Sequence, residues 1–231
     1  MSVKRDAGTI KLLGGRLCLD FVNTVHCYGY EDIGEYLINY QDLIDWSRHV
    51  GTMTSEEAKR LTAKSTENPT EAKRVHLRAI ELREIIYSIF CSLLDATPQT
   101  EKDLTAFNNY LSDMMALSKI VKTAEGFDWD MTANKASLDW ILNPVIRSAA
   151  DLLISEEWRR IKKCADPTCG WLFLDVSRNH SRRWCDMRDC GNRAKASRFY
   201  KKKKKLDAGS ANSKTTPTLE SSTSSMERHL L

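Results

Sequence analysis

Nowhere in this chain of 231 residues do eighteen apolar residues run together, so no part of it is expected to cross a membrane as a helix. The opening Met-Ser-Val-Lys-Arg-Asp leads into no apolar stretch of the kind a secretory signal needs. Seven cysteines, an odd number, do not make a disulfide framework, and a reduced, cytoplasmic protein is expected. The chemistry of an enzyme is missing too. There is no phosphate loop, no HExxH, no nucleophile elbow and no glycine-rich dinucleotide fingerprint, and the five histidines (26, 49, 76, 180 and 229) are scattered. The paired acids Glu56-Glu57 and Glu156-Glu157 fall at helix starts or on helix faces, where solvation and the helix dipole account for them. No internal repeat is present. A non-enzymatic protein is expected.

What the chain does have is Cys164-Ala-Asp-Pro-Thr-Cys169 and, fifteen residues later, Cys185-Asp-Met-Arg-Asp-Cys190. Two cysteines separated by four residues can be aimed at one point by a tight turn, and the intervening segment is long enough to bring two such pairs together. Cys164, Cys169, Cys185 and Cys190 are therefore the expected ligands of one structural Zn²⁺. His180 is the weaker alternative for a fourth ligand. Between the pairs, residues 171–176 read as a β-strand, 177–180 as a turn and Arg182-Arg183-Trp184 as the returning leg, with a helix from Ala194. Cys18, His26 and Cys27 lack a matched second pair and read as core or surface residues.

Charge is unevenly placed. Residues 161–205 hold 14 Lys or Arg against 4 Asp or Glu, a balance of +10 that leaves −6 for the remainder. That is the footprint of a module that meets a polyanion, although a lysine run can also be no more than a solvated face. The residues expected to contact nucleic acid are Arg193, Lys195, Arg198, Lys201, Lys202, Lys203, Lys204 and Lys205, assisted by Arg182 and Arg183. Phe199 and Tyr200 either stack on unpaired bases or pack on the hairpin.

Upstream, the pattern is helical. The alternation of Leu17, Leu19 and Phe21 predicts a short half-buried strand, with Asp20 and Asn23 bonding backbone. Asn39 caps a helix to Val50, and Thr54-Ser-Glu-Glu57 is a capping box opening a helix to about Lys64. The longest helix is expected over 70–94, with Arg74, Arg78, Glu81, Arg83 and Glu84 on its outer faces. Another starts at Thr100-Glu-Lys-Asp103 and carries a stripe of Leu104, Phe107, Leu111, Met114 and Met115. Gly126–Met131 is a strand or hairpin leg, and Pro144 sits in the first turn of a last helix that reaches the cysteines with almost no linker. Beyond Lys205 the composition predicts a disordered tail, 206–231.

The words around the cysteines, Arg183-Trp184-Cys185, Cys190-Gly191-Asn192-Arg193 and Cys169-Gly170-Trp171, resemble the CGNR zinc-finger family of bacterial proteins. Leu17-Cys-Leu-Asp-Phe-Val-Asn-Thr24 resembles the opening of the ABATE domain that precedes that finger and is named for stress-induced transcription regulation. The resemblance spans about residues 10–205. It implies a mainly α protein: a helical domain over 10–159 with a short β element, then a small treble-clef-like finger (knuckle, hairpin, helix) over 160–205. It also implies a transcription regulator whose helical domain senses an effector or forms a homodimer, and whose finger binds nucleic acid, DNA ahead of RNA. The alternative is a non-enzymatic zinc module that docks a protein or RNA.

Overall fold

The computed structural model describes residues 6–26, 34–97, 101–130 and 137–200. Cys27, Thr100, Met131, the run Lys201–Lys205 and the expected tail lie outside the described residues. The chain forms two compact units that divide between Gly191 and Asn192.

The first unit is mainly α, as expected. Helix α1 spans Leu17–Val22, α2 Tyr40–His49, α3 Ser55–Glu67, α4 Pro69–Leu94, α5 Glu101–Ala116 and α6 Asn143–Ile154. Local chemistry sets their starts. Asn39 Oδ1 accepts from the backbone N–H groups of Gln41 and Asp42, and the Asp42 carboxylate answers the N–H of Asn39. Thr54 and Glu57 make the second capping box, but α3 continues to Glu67, past the Lys64 expected as its end. Pro69 and Pro144 each sit in a first turn, where a missing N–H costs nothing. Helix α4 is the centre, burying Val75, Ala79, Leu82, Ile86 and Ile89 and packing against α1, α2, α3 and α5. On α5 only Phe107, Tyr110 and Met114 of the apolar side chains are fully buried; Leu104 and Met115, expected in the same stripe, are exposed. The Tyr110 hydroxyl donates to Glu81 at 2.8 Å and so turns a narrower face inward.

Two short ladders accompany the helices: β1 (Val25–His26) with β2 (Gly34–Glu35), and β3 (Lys119–Thr123) with β4 (Gly126–Asp130). Arg83, expected on an outer face of α4, is buried instead. Its guanidinium donates to both Glu35 carboxylate oxygens, at 2.7 and 2.6 Å, and to Thr24 Oγ1 at 3.2 Å, so a paired charge locks β2 to the central helix.

The strand expected at 17–21 is helix α1. Cys18 is as buried as Leu19, and the buried set 18, 19, 21 and 22 is a helical pattern; counting cysteine as a polar spacer is what makes it look alternating. Burial pushes the Cys18 thiol up to about 12, which makes it an inert core group. Asp20 accepts from the Gly14 N–H at 2.7 Å. That closes the chain so tightly that a Cβ on Gly14 would stand 2.6 Å from the Asp20 nitrogen. Only glycine fits there.

Strands β5 (Ile161–Lys163) and β6 (Leu172–Leu174) form an antiparallel hairpin with Ile161 opposite Leu174 and Lys163 opposite Leu172. The expected partner of β6 was Arg182–Trp184; the actual partner precedes the first cysteine pair, and residues 181–184 are loop. The cause is Asp175, whose buried carboxylate accepts from the N–H groups of Ser177 and Arg182, both at 3.0 Å, and turns the chain out of the sheet. The outer edge of β6 meets the helical part. Asn23 Nδ2 donates to the Leu172 carbonyl at 2.8 Å, the Leu172 N–H donates to Asn23 Oδ1 at 2.9 Å, and the Leu174 N–H donates to the Gly14 carbonyl at 2.8 Å. Asn23 thus does the work of a third strand.

Asn23→Ala leaves a buried N–H and a buried carbonyl unpaired and is expected to lower unfolding stability by about 2–4 kcal/mol, read from the urea midpoint. Burial is the largest influence on Asp20 and pushes its pKa up to about 6, against the Gly14 and Leu13 amides that pull it down. A carboxyl raised from about 3.9 in the unfolded chain binds more protons when folded, so its contribution to stability falls as pH rises from about 4 to about 6 and is level above. Asp20→Asn is expected to flatten that stretch of the stability–pH curve.

Candidate metal centre

The first knuckle is built by Asp166. Its side chain accepts from Thr168 N at 3.0 Å, the Cys169 N–H donates to its carbonyl at 3.0 Å, and Gly170 at φ 76° releases the chain into Trp171. The second is built by Asp186, which accepts from Arg188 N at 2.8 Å and from the Gly191 N–H at 3.0 Å, closing a wide turn over Met187–Gly191. Lys11, from the start of the chain, bridges the Asp186 carboxylate at 3.0 Å and that of Asp189. The Ala165 N–H donates to the Arg183 carbonyl at 2.8 Å and draws the two knuckles together.

The result is one cluster. The Sγ atoms of Cys164, Cys169, Cys185 and Cys190 all lie within 4.8 Å of one another, all four residues are buried, and none is in a disulfide. Cys169 to Cys185 is 3.5 Å and Cys185 to Cys190 is 3.6 Å. A tetrahedral ion with metal–sulfur bonds of about 2.3 Å demands edges of about 3.8 Å, close to those spacings. The Cys185 N–H lies 3.4 Å from Cys164 Sγ, a donor suited to a thiolate. Among the thiols, Cys164 is driven toward the anion by hydrogen bonds from Cys169, Cys185 and Cys190, while Cys185 is held protonated by Cys164 and the others. Only a cation among them would let all four become thiolates in so small a space.

The helical part matches the ABATE family model, "Putative stress-induced transcription regulator", over residues 15–156, and residues 160–203 match the model of the CGNR zinc finger. The chain belongs to the ABATE family. No curated protein matches it. The CGNR finger is not an appendage of the ABATE helices up to Gly191, because Trp171, Leu172, Phe173 and Leu174 are buried in the same core as α1 and α4. Trp171 Nε1 donates to the Val25 carbonyl at 2.8 Å and the Tyr87 hydroxyl donates to the Gly170 carbonyl at 3.0 Å. His180 stands outside the cluster, its ring Nδ1 3.1 Å from the Asp175 carbonyl.

The basic residues divide. Arg182, expected at the nucleic-acid face, is a brace: its guanidinium lies 4.2 Å over the Phe173 ring and donates to the carbonyls of Trp184, at 3.0 Å, and Cys185. Arg183 is exposed and lies over Trp184. In the second unit, residues 192–200 form helix α7, on which Arg193, Lys195 and Arg198 are exposed and Arg198 Nε donates to the Ala194 carbonyl at 3.3 Å. Phe199 and Tyr200 are two-thirds exposed (67% and 69%) and meet edge-on at 6.0 Å. Nothing in the spacing Arg182-Arg183 tells brace from surface residue. Lys11 was likewise invisible as a partner of a knuckle 175 residues away.

Elemental analysis is expected to find one metal ion per chain and none in Cys169→Ser. Since the hairpin lies in the helical core, a chelator should lower the melting temperature measured by the far-ultraviolet helical signal, not only that of the finger. Acidification should release the ion as protons compete for the thiolates.

Proposed function

We propose that the ion is Zn²⁺ and that the protein is a non-enzymatic transcription regulator of a reducing cytoplasm, binding nucleic acid, DNA first, through its basic C-terminal segment. Four soft thiolates in a tetrahedron suit zinc, and a closed set of four protein ligands leaves no position for a reacting water. Zinc supplies shape here: Cys164 and Cys169 fix the first knuckle against β6, and Cys185 and Cys190 fix the second.

The observation that carries the reading is charge. Residues 161–205 balance at +10 against −6 elsewhere, and four thiolates with one Zn²⁺ still leave about +8. Arg183, Arg188, Arg193, Lys195 and Arg198 are exposed, in line with phosphate contact; arginine can also reach base edges. A second reading, single-stranded nucleic acid or RNA, is favoured by the exposed rings of Phe199 and Tyr200, on which unpaired bases can stack.

Each phosphate neutralised on duplex DNA contributes about −0.9 to the slope of log affinity against log salt. Changing Lys201–Lys205 to glutamine is expected to flatten that slope by as much as about 4.5 and to weaken binding to all sequences alike. Arg182→Ala should instead lower the melting temperature and leave the slope unchanged. Zinc-loaded protein with no salt-sensitive binding to duplex, single strand or RNA would leave a protein-docking module as the surviving function.

A further inference from the structure

Asn143, the first residue of α6, is only 8% exposed, yet its side-chain amide makes no hydrogen bond among the described residues. A buried amide without a partner carries a cost that a ligand bonding it would remove. Asn143 lines a cleft of about 340 Å³ between α4, α5, α6 and the short helical turn Leu138–Leu142. That volume is at the small end for ligand clefts. Met114, Trp140, Leu142 and Ile146, all buried, give the cleft an apolar wall, and Leu117 stands beside them 42% exposed. The charges in the cleft are matched among themselves. Arg78 donates to Asp139 at 2.6 Å and to Asp113 at 3.2 Å, Arg74 also donates to Asp139, and the Arg78 guanidinium lies 5.0 Å over the ring of Tyr110, whose hydroxyl is engaged by Glu81. A charged ligand would have to break one of these pairs or stand unpaired beside them.

We propose that this cleft binds a small, uncharged, planar molecule through Asn143, one whose edge carries a hydrogen-bond acceptor beside a donor, the chemistry shared by nucleobases and aromatic carboxamides. The amide sets the edge. Its NH2 donates and its C=O accepts in one plane, so its complement is an acceptor and a donor side by side, as when asparagine holds adenine. The wall sets the body, because a ring buried against Trp140 and Ile146 leaves water as it binds. The matched ion pairs set the charge at zero. The site is independent of nucleic-acid binding and of the metal, and stands or falls separately.

The probes are adenine, uracil, nicotinamide and benzamide, with benzoate and benzamidine as charged isosteres of the last. Each is titrated into the full zinc-loaded chain and followed by calorimetry and by the Asn143 side-chain amide signal in nitrogen–proton NMR. At least one neutral probe is expected to bind at millimolar concentration or below and to shift that signal, and both charged isosteres should bind at least about tenfold more weakly than the best neutral one. Which neutral probe binds tells base from carboxamide. Asn143→Asp keeps the shape but replaces the NH2 donor by an oxygen, and should weaken binding by about tenfold or more. Leu117→Trp, at an exposed position, narrows the cleft without touching the amide and should weaken binding too, which keeps the test open if Asn143→Asp fails to fold. An amide signal that no probe moves, as in a site for water only, charged isosteres as tight as the neutral probes, or binding unchanged in either folded variant each overturns the proposal.

Discussion

A β-strand of three residues cannot hold itself, and β6 is held from both edges. One edge pairs with β5; the other is met by Asn23 and the Gly14 carbonyl, groups from the start of the chain. The cost of a buried, unpaired amide or carbonyl makes this satisfaction obligatory, and it dictates much of what surrounds it. Gly14 can carry no side chain because its carbonyl must reach Leu174 while its N–H serves Asp20. Helix α1 must begin where it does so that Asn23 leaves its end opposite Leu172. The metal cluster hangs on the same strand, since Cys164 and Cys169 lie in the loop that joins β5 to β6.

The finger and the helices are therefore one folded object through Gly191. In a module with its own core, metal binding would stabilise the module alone; here the hairpin that the metal organises supplies Trp171, Phe173 and Leu174 to the core that α1 and α4 also line. The two family matches, 15–156 and 160–203, describe two stretches of sequence that share one interior.

Much of this was legible in the sequence, where the signal was local. The four cysteines declared themselves by matched spacing, Asn39 and Thr54 by capping chemistry, Pro144 by its missing N–H. What was misread depended on partners far away in the chain. Cys18 reads as polar until α6 and the core close over it, and Arg83 reads as a surface charge until Glu35 is brought beside it. The partner of β6 was misplaced because Asp175, a single buried carboxylate, turns the chain away from the nearer candidate. Arg182 and Arg183 are neighbours of the same type, and only the ring of Phe173 separates their roles.

The clamp between Asn23 and Leu172 joins residues 149 apart. During synthesis at about 5–20 residues per second, α1 would wait on the order of ten seconds or more, with Leu19, Phe21 and Val22 lacking their final cover, before β6 left the ribosome. Helix α1 is thus made long before β6, and its apolar face waits through that interval for its native cover.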